Sequence, residues 1–100
     1  MRLREERERM DEGYGIAAFR SRQQVLRFEA ALKREGVKNV QVVSTPREVA
    51  VGCGLSVQFP LQETQAVLGA VNRSRPVNLI GVYQVTQQAN GRSKLTAIVK

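Results

Sequence analysis

Val40-Gln41-Val42-Val43-Ser44-Thr45-Pro46-Arg47-Glu48-Val49-Ala50-Val51-Gly52-Cys53-Gly54-Leu55-Ser56-Val57-Gln58-Phe59 is the stretch on which the fold turns. An apolar run, Val40–Val43, enters it and a second run, Leu55–Phe59, leaves it. The second alternates: Leu55, Val57 and Phe59 are expected inward, Ser56 and Gln58 outward, the period of a half-buried strand. Two strands therefore follow one another directly. Between them, Pro46 pushes Thr45 towards an extended conformation. Pro46 also suits the first position of a short helical turn, capped by Thr45 or Ser44 and running through Arg47 and Glu48. That turn breaks at Gly52. Gly52 and Gly54 flank Cys53, so the backbone there can take positive φ and a partner can come close. Cys53, the only cysteine among 100 residues, is expected at a bend between two strands.

Working outward, the segment before this stretch predicts a strand and a helix. Tyr14-Gly15-Ile16-Ala17-Ala18-Phe19 is small and apolar on both faces, as a central, covered strand should be. Ser21 is a good N-cap for a helix over 22–35, with Val25, Phe28, Ala31 and Leu32 on one face. Lys33 and Arg34 complement the dipole at its last turn, and Gly36 fits the position just past its end. After Phe59, Pro60 closes the strand. A second helix is expected from about Leu61 to Asn72, with Thr64, Val67, Leu68 and Val71 at helical spacing. Pro76 blocks its continuation, and a fourth strand follows over 78–85.

The order strand, helix, strand, strand, helix, strand predicts an α+β domain: a ferredoxin-like βαββαβ sandwich, an antiparallel sheet with two helices on one face. Residues 1–13 form a charged arm or helix, 14–85 the domain, and 86–100 a C-terminal extension. Asn90-Gly91 signals a turn in that extension. Leu95-Thr96-Ala97-Ile98-Val99 then either pairs beside the fourth strand or reaches another chain.

Charge is uneven along the chain. Residues 1–12 carry four arginines against five carboxylates, a net of −1, while the other 88 carry twelve basic and four acidic side chains, a net of +8. The folded body is the basic part and should attract anions. There is no histidine, which removes Ser-His and Cys-His catalysis. One cysteine and scattered carboxylates lack zinc-ligand spacing, so neither metal nor cofactor is expected. No apolar run spans a membrane and no secretory leader is visible, which points to a reducing cytoplasm.

With these elements in place, residues 14–85 resemble a family of short bacterial proteins catalogued as selenium/sulfur (Se/S) carrier-like. The resemblance rests on Tyr14 to Phe19, the Glu29-Ala30-Ala31-Leu32 helix, Pro46-Arg47-Glu48, Cys53-Gly54-Leu55-Ser56-Val57 and Tyr83. Gly52 departs from the family, which commonly has serine or another small residue there. The Cys-Pro-x-Pro motif of better-understood small sulfur carriers is absent. The resemblance implies a carrier role for Cys53, with Arg47, Gly52, Gly54, Thr45, Pro46 and Glu48 around it, and it implies donor and acceptor proteins as partners.

A free cysteine is most often a small buried hydrophobe. Glycines on both sides argue otherwise, because they mark backbone approach rather than a packed layer. Arg47, Arg20 and Arg22 supply cations, and a cation near a thiol favours the thiolate. Thr45 reads as a cap rather than a ligand, and Arg47 could simply pair with Glu48 or Glu63. The Gly13-Tyr14-Gly15 pattern opens a strand and lacks a third glycine in register, so it is no dinucleotide signature. The competing class is a non-catalytic interaction or regulatory module, dimeric through a sheet edge or RNA-binding, in which Cys53 is structural. RNA binding ranks below the carrier, because no aromatic-rich RNA-binding run accompanies Tyr14, Phe19, Phe59 and Tyr83.

Overall fold

The computed structural model describes residues 13–45, 54–76, 78–87 and 93–99. The elements are β1 (Gly13–Phe19), α1 (Arg22–Arg34), β2 (Gln41–Ser44), β3 (Leu55–Phe59), a 3-10 turn (Leu61–Glu63), α2 (Thr64–Ser74), β4 (Leu79–Gln87) and β5 (Ser93–Val99). The five strands form one sheet in the order β2-β3-β1-β4-β5. Every neighbouring pair is antiparallel. β3 lies between β1 and β2, so the connection through α1 skips a strand. β1 lies between β3 and β4, so the connection through α2 does the same. Two split strand–helix–strand units are thus interleaved, and the architecture is α+β as expected.

β1 sits at the centre, and its composition explains why. Ile16, Ala17, Ala18 and Phe19 are all fully buried, so both faces of the strand are covered. On the helix side, Ala17, Phe19, Val57, Phe59 and Val82 meet Val25, Phe28 and Leu32 of α1 and Val67 and Ala70 of α2. The rings of Phe19 and Phe28 pack tilted at 52°, with centroids 5.4 Å apart. Phe59 finds its place through an absence: a Cβ on Gly15, its register partner on β1, would overlap the Phe59 ring. The other face of the sheet carries a second cluster of Ile16, Ala18 and Val85, with Tyr14, Ile80, Tyr83 and Leu95 packed against it.

The helix termini follow the sequence with one exception. Gly36 takes φ +87°, and the amides of Gly36 and Val37 bond the carbonyls of Lys33 (3.1 Å) and Leu32 (3.0 Å). This is the two-bond closure that a glycine just past a helix makes possible. Ser21 occupies the N-cap position of α1 with extended φ and ψ, but its side chain makes no capping bond. Only its carbonyl serves, accepting from the amides of Gln24 and Val25.

Three details differ from expectation. Gly13 opens β1, opposite Thr86, instead of closing the arm. The second helix begins as a 3-10 turn at Leu61 and becomes α-helical at Thr64, whose hydroxyl donates to the Leu61 carbonyl at 2.6 Å. Ser56 points outward from the helix side as expected, opposite Ala18, yet it is fully buried, since the face away from the helices also carries a packed cluster. Of the two courses expected for the C-terminal run, the structure takes the first: it pairs in-chain, as β5 beside β4, with Leu95 opposite Val85 and Ala97 opposite Tyr83. The expected helix over 2–12 lies outside the described residues.

Candidate functional site

The site is best built from the β2–β3 connection. Ser44 and Leu55 are the last register pair of the two strands. The ladder then continues one step: the Thr45 amide donates to the Gly54 carbonyl at 2.9 Å. The residues flanking the segment 46–53, Thr45 and Gly54, are therefore held side by side. Gly54 has φ +87°, a conformation that side chains other than glycine rarely adopt, and a Cβ there would meet nothing within 4 Å. The glycine is thus needed for backbone shape and not for room. It directly follows Cys53 in the chain.

A side-chain bond reinforces the stem. The hydroxyls of Thr45 and Ser56 lie 2.7 Å apart, and either can donate. Ser56 is fully buried, so this bond satisfies a polar atom that water does not reach. Thr45 is therefore a cross-strand staple, and the turn that its place before Pro46 suggested it would cap lies outside the described residues. Pro46, Arg47, Glu48, Gly52 and Cys53 lie outside the described residues, as does the short helical turn expected at Arg47 and Glu48.

The surroundings of the stem are set by the sheet. Ala18 of β1 pairs with Ser56 of β3. β1 ends at Phe19 and β3 begins at Leu55, so in this antiparallel pair Arg20 and Gly54 follow and precede the two strands at the same end of the sheet. The Arg20 amide bonds the Asn78 carbonyl at 2.8 Å, which ties the entry to β4 to the same end of the sheet. α1 begins two residues later, at Arg22, and the amides of Arg22 and Gln23 have no partner among the described residues. Such a helix end carries about half a positive charge. The end of the sheet from which the loop springs is thus bordered by Arg20, Arg22 and the positive end of α1.

Of the residues expected at the site, Thr45 and Gly54 are described and are bonded to each other, while the buried Ser56 was not among those expected. A signal for Ser56 was present, since the Cys-Gly-aliphatic-small-aliphatic pattern reserves its position for a small side chain. Among the described residues, no cluster of three or more His, Cys, Asp or Glu could hold a metal ion. No described helix is long and apolar enough to cross a membrane.

The fold is a small α+β domain whose five-stranded antiparallel sheet bonds Thr45 to Gly54, the residue that follows its single cysteine in sequence. The chain belongs to the family described as "Putative Se/S carrier protein-like", whose model matches residues 14–84. The match spans β1 through most of β4 and includes the whole of the loop. Comparison with curated proteins and with solved structures returns no match.

Proposed function

We propose that this protein carries sulfur or selenium on Cys53, as a persulfide or selenosulfide, and passes it to a partner enzyme. The observation that carries the reading is the pinned loop stem. Thr45 and Gly54 are bonded at 2.9 Å, and their hydrogen bond fixes both ends of the cysteine segment at a sheet end bordered by Arg20, Arg22 and the α1 N-terminus. Membership in the family agrees with it. In the loading step, the Cys53 thiolate attacks the terminal sulfur of a donor protein's persulfide. A bond forms between Cys53 Sγ and that sulfur, the donor's S–S bond breaks, and the donor leaves as a thiolate. No net oxidation occurs, so neither a cofactor nor histidine is needed. An acceptor nucleophile then removes the outer atom, and Cys53 leaves as a thiolate in turn. Selenium follows the same sequence with a selenosulfide.

We further propose that the interleaved split units are the ferredoxin-like arrangement, with β5 added beside β4. The strand order supports this. A reducing cytoplasm is the compartment in which a lone thiol of this kind stays available. The RNA-binding alternative is disfavoured, since Tyr14 and Tyr83 are half-buried against Ile16 and its neighbours and do not form an open stacking platform.

The test is intact-mass spectrometry of protein purified from its native host without reductant, beside Cys53→Ser. The expected result is an added mass of one sulfur or one selenium atom that reductant removes and the serine variant lacks. An unmodified thiol that reacts with a persulfide donor no faster than free cysteine would refute the carrier reading.

A further inference from the structure

α1 and the chain leaving α2 line a cleft of about 310 Å³. Arg27, Phe28, Ala31 and Arg34 of α1 line one side, and Arg75 and Pro76 line the other. Arg27, Ala31 and Arg34 are four and three residues apart, so a single helical face presents both guanidinium groups. The floor is apolar: Phe28 is only 4% exposed, and Ala31 and Pro76 are half-buried. Among the described residues no carboxylate lines the cleft. The nearby acids are engaged elsewhere, Glu29 with Lys33 at 3.3 Å and Glu35 with Arg73. Arg27, Arg34 and Arg75 have no ion-pair partner among the described residues.

Arg75 adds a second observation. It ends α2 at φ +45°, ψ +62°, in the left-handed region. Glycine or asparagine ordinarily takes that position, since other side chains are strained there. An arginine is held in an unfavourable backbone conformation on the lip of a cleft that already holds two more. Strain of this sort collects at functional sites.

We propose that this cleft is a docking groove for an acidic segment of a protein partner, in which two or three carboxylates flank one apolar side chain. The carboxylates pair with the three guanidinium groups, whose planar forks match carboxylate geometry. The apolar residue rests on Phe28, Ala31 and Pro76. A protein segment fits better than RNA, because the groove has no exposed aromatic face on which a base could stack. The inference concerns residues apart from Cys53, and its test reads binding alone.

The probe is a fluorescein-labelled acidic nonapeptide, Asp-Glu-Asp-Glu-Leu-Asp-Glu-Asp-Glu, titrated by anisotropy and by amide chemical shifts. Single reversals Arg27→Glu, Arg34→Glu and Arg75→Glu are compared with the charge-matched Lys38→Glu and Lys94→Glu, which lie outside the cleft. All five positions are exposed, so the variants should fold. Each groove reversal is expected to weaken binding by about fivefold or more and each control by less than about twofold, the contrast that separates an anchoring residue from a rim charge. Replacing the peptide's leucine by serine should also weaken binding. Shifts should cluster at residues 27–34 and 73–76. Three outcomes would overturn the proposal: equal losses from the controls, tighter binding of a single-stranded RNA decamer through the same arginines, or no peptide binding at millimolar concentration.

Discussion

The Thr45–Ser56 hydroxyl pair makes a prediction whose sign is unusual. Removing either hydroxyl deletes the same 2.7 Å bond, yet the two deletions should not cost the same. Ser56 is fully buried, while Thr45 is half-exposed. In Ser56→Ala, the Thr45 hydroxyl loses its partner but can turn to water, so the cost is that of one ordinary hydrogen bond, about 1 kcal/mol. In Thr45→Val, which keeps the shape, the Ser56 hydroxyl is stranded where water does not reach, and desolvation raises the cost to about 2–3 kcal/mol. The double variant Thr45→Val/Ser56→Ala removes the stranded group as well and should recover most of the difference. For a domain of this size, about 1 kcal/mol moves the melting temperature by roughly 4–8 °C, so the three variants are separable. Urea unfolding followed by circular dichroism at constant m-value would measure all three as a cycle. If Ser56→Ala proves as costly as Thr45→Val, or if the double variant is additive, the burial argument is wrong.

Two further predictions concern glycine. Gly15→Ala forces the Phe59 ring out of its place, since the new methyl overlaps ring atoms, and should destabilise by about 1–3 kcal/mol in thermal unfolding; a neutral result would mean that Phe59 has another rotamer open to it. Arg75→Gly relieves the left-handed strain at the end of α2, partly offset by the greater freedom of glycine in the unfolded chain. It should raise stability by about 0.5–1 kcal/mol while weakening binding of the acidic peptide, and a variant less stable than the parent would remove the strain from the case for the cleft.

How legible the molecule was depends on which physical signal each part uses. β3 was legible to the residue, because Leu55, Val57 and Phe59 alternate with polar neighbours and Pro60 stops the run. α1 was legible because its apolar face, its basic last turn and Gly36 agree with one another. Ser56 was misread because alternation tells which side a residue faces and says nothing of whether that side is wet. Here the second face is packed too, so a polar residue in the outward register ended buried. The entry to α2 was misread for a related reason: helical spacing begins at Leu61, but Pro60 and the Thr64 hydroxyl bond hold the first turn in the tighter 3-10 form. The cysteine segment was singled out through its composition and its glycines, and of these glycines the described Gly54 does take positive φ. The arginine cleft was not, since its halves lie some forty residues apart in sequence and only packing joins them.

The bonded pair at Thr45 and Gly54 makes the segment 46–53 an interchangeable cassette. Strand register is settled below it, by Val42 against Val57 and Ser44 against Leu55, so the pairing of β2 with β3 does not rest on what is spliced in. Loop closure is also forgiving, because doubling the length of a flexible loop costs only about 0.6 kcal/mol. A lineage, or an engineer, could therefore exchange the chemistry at this end of the sheet wholesale and keep the scaffold.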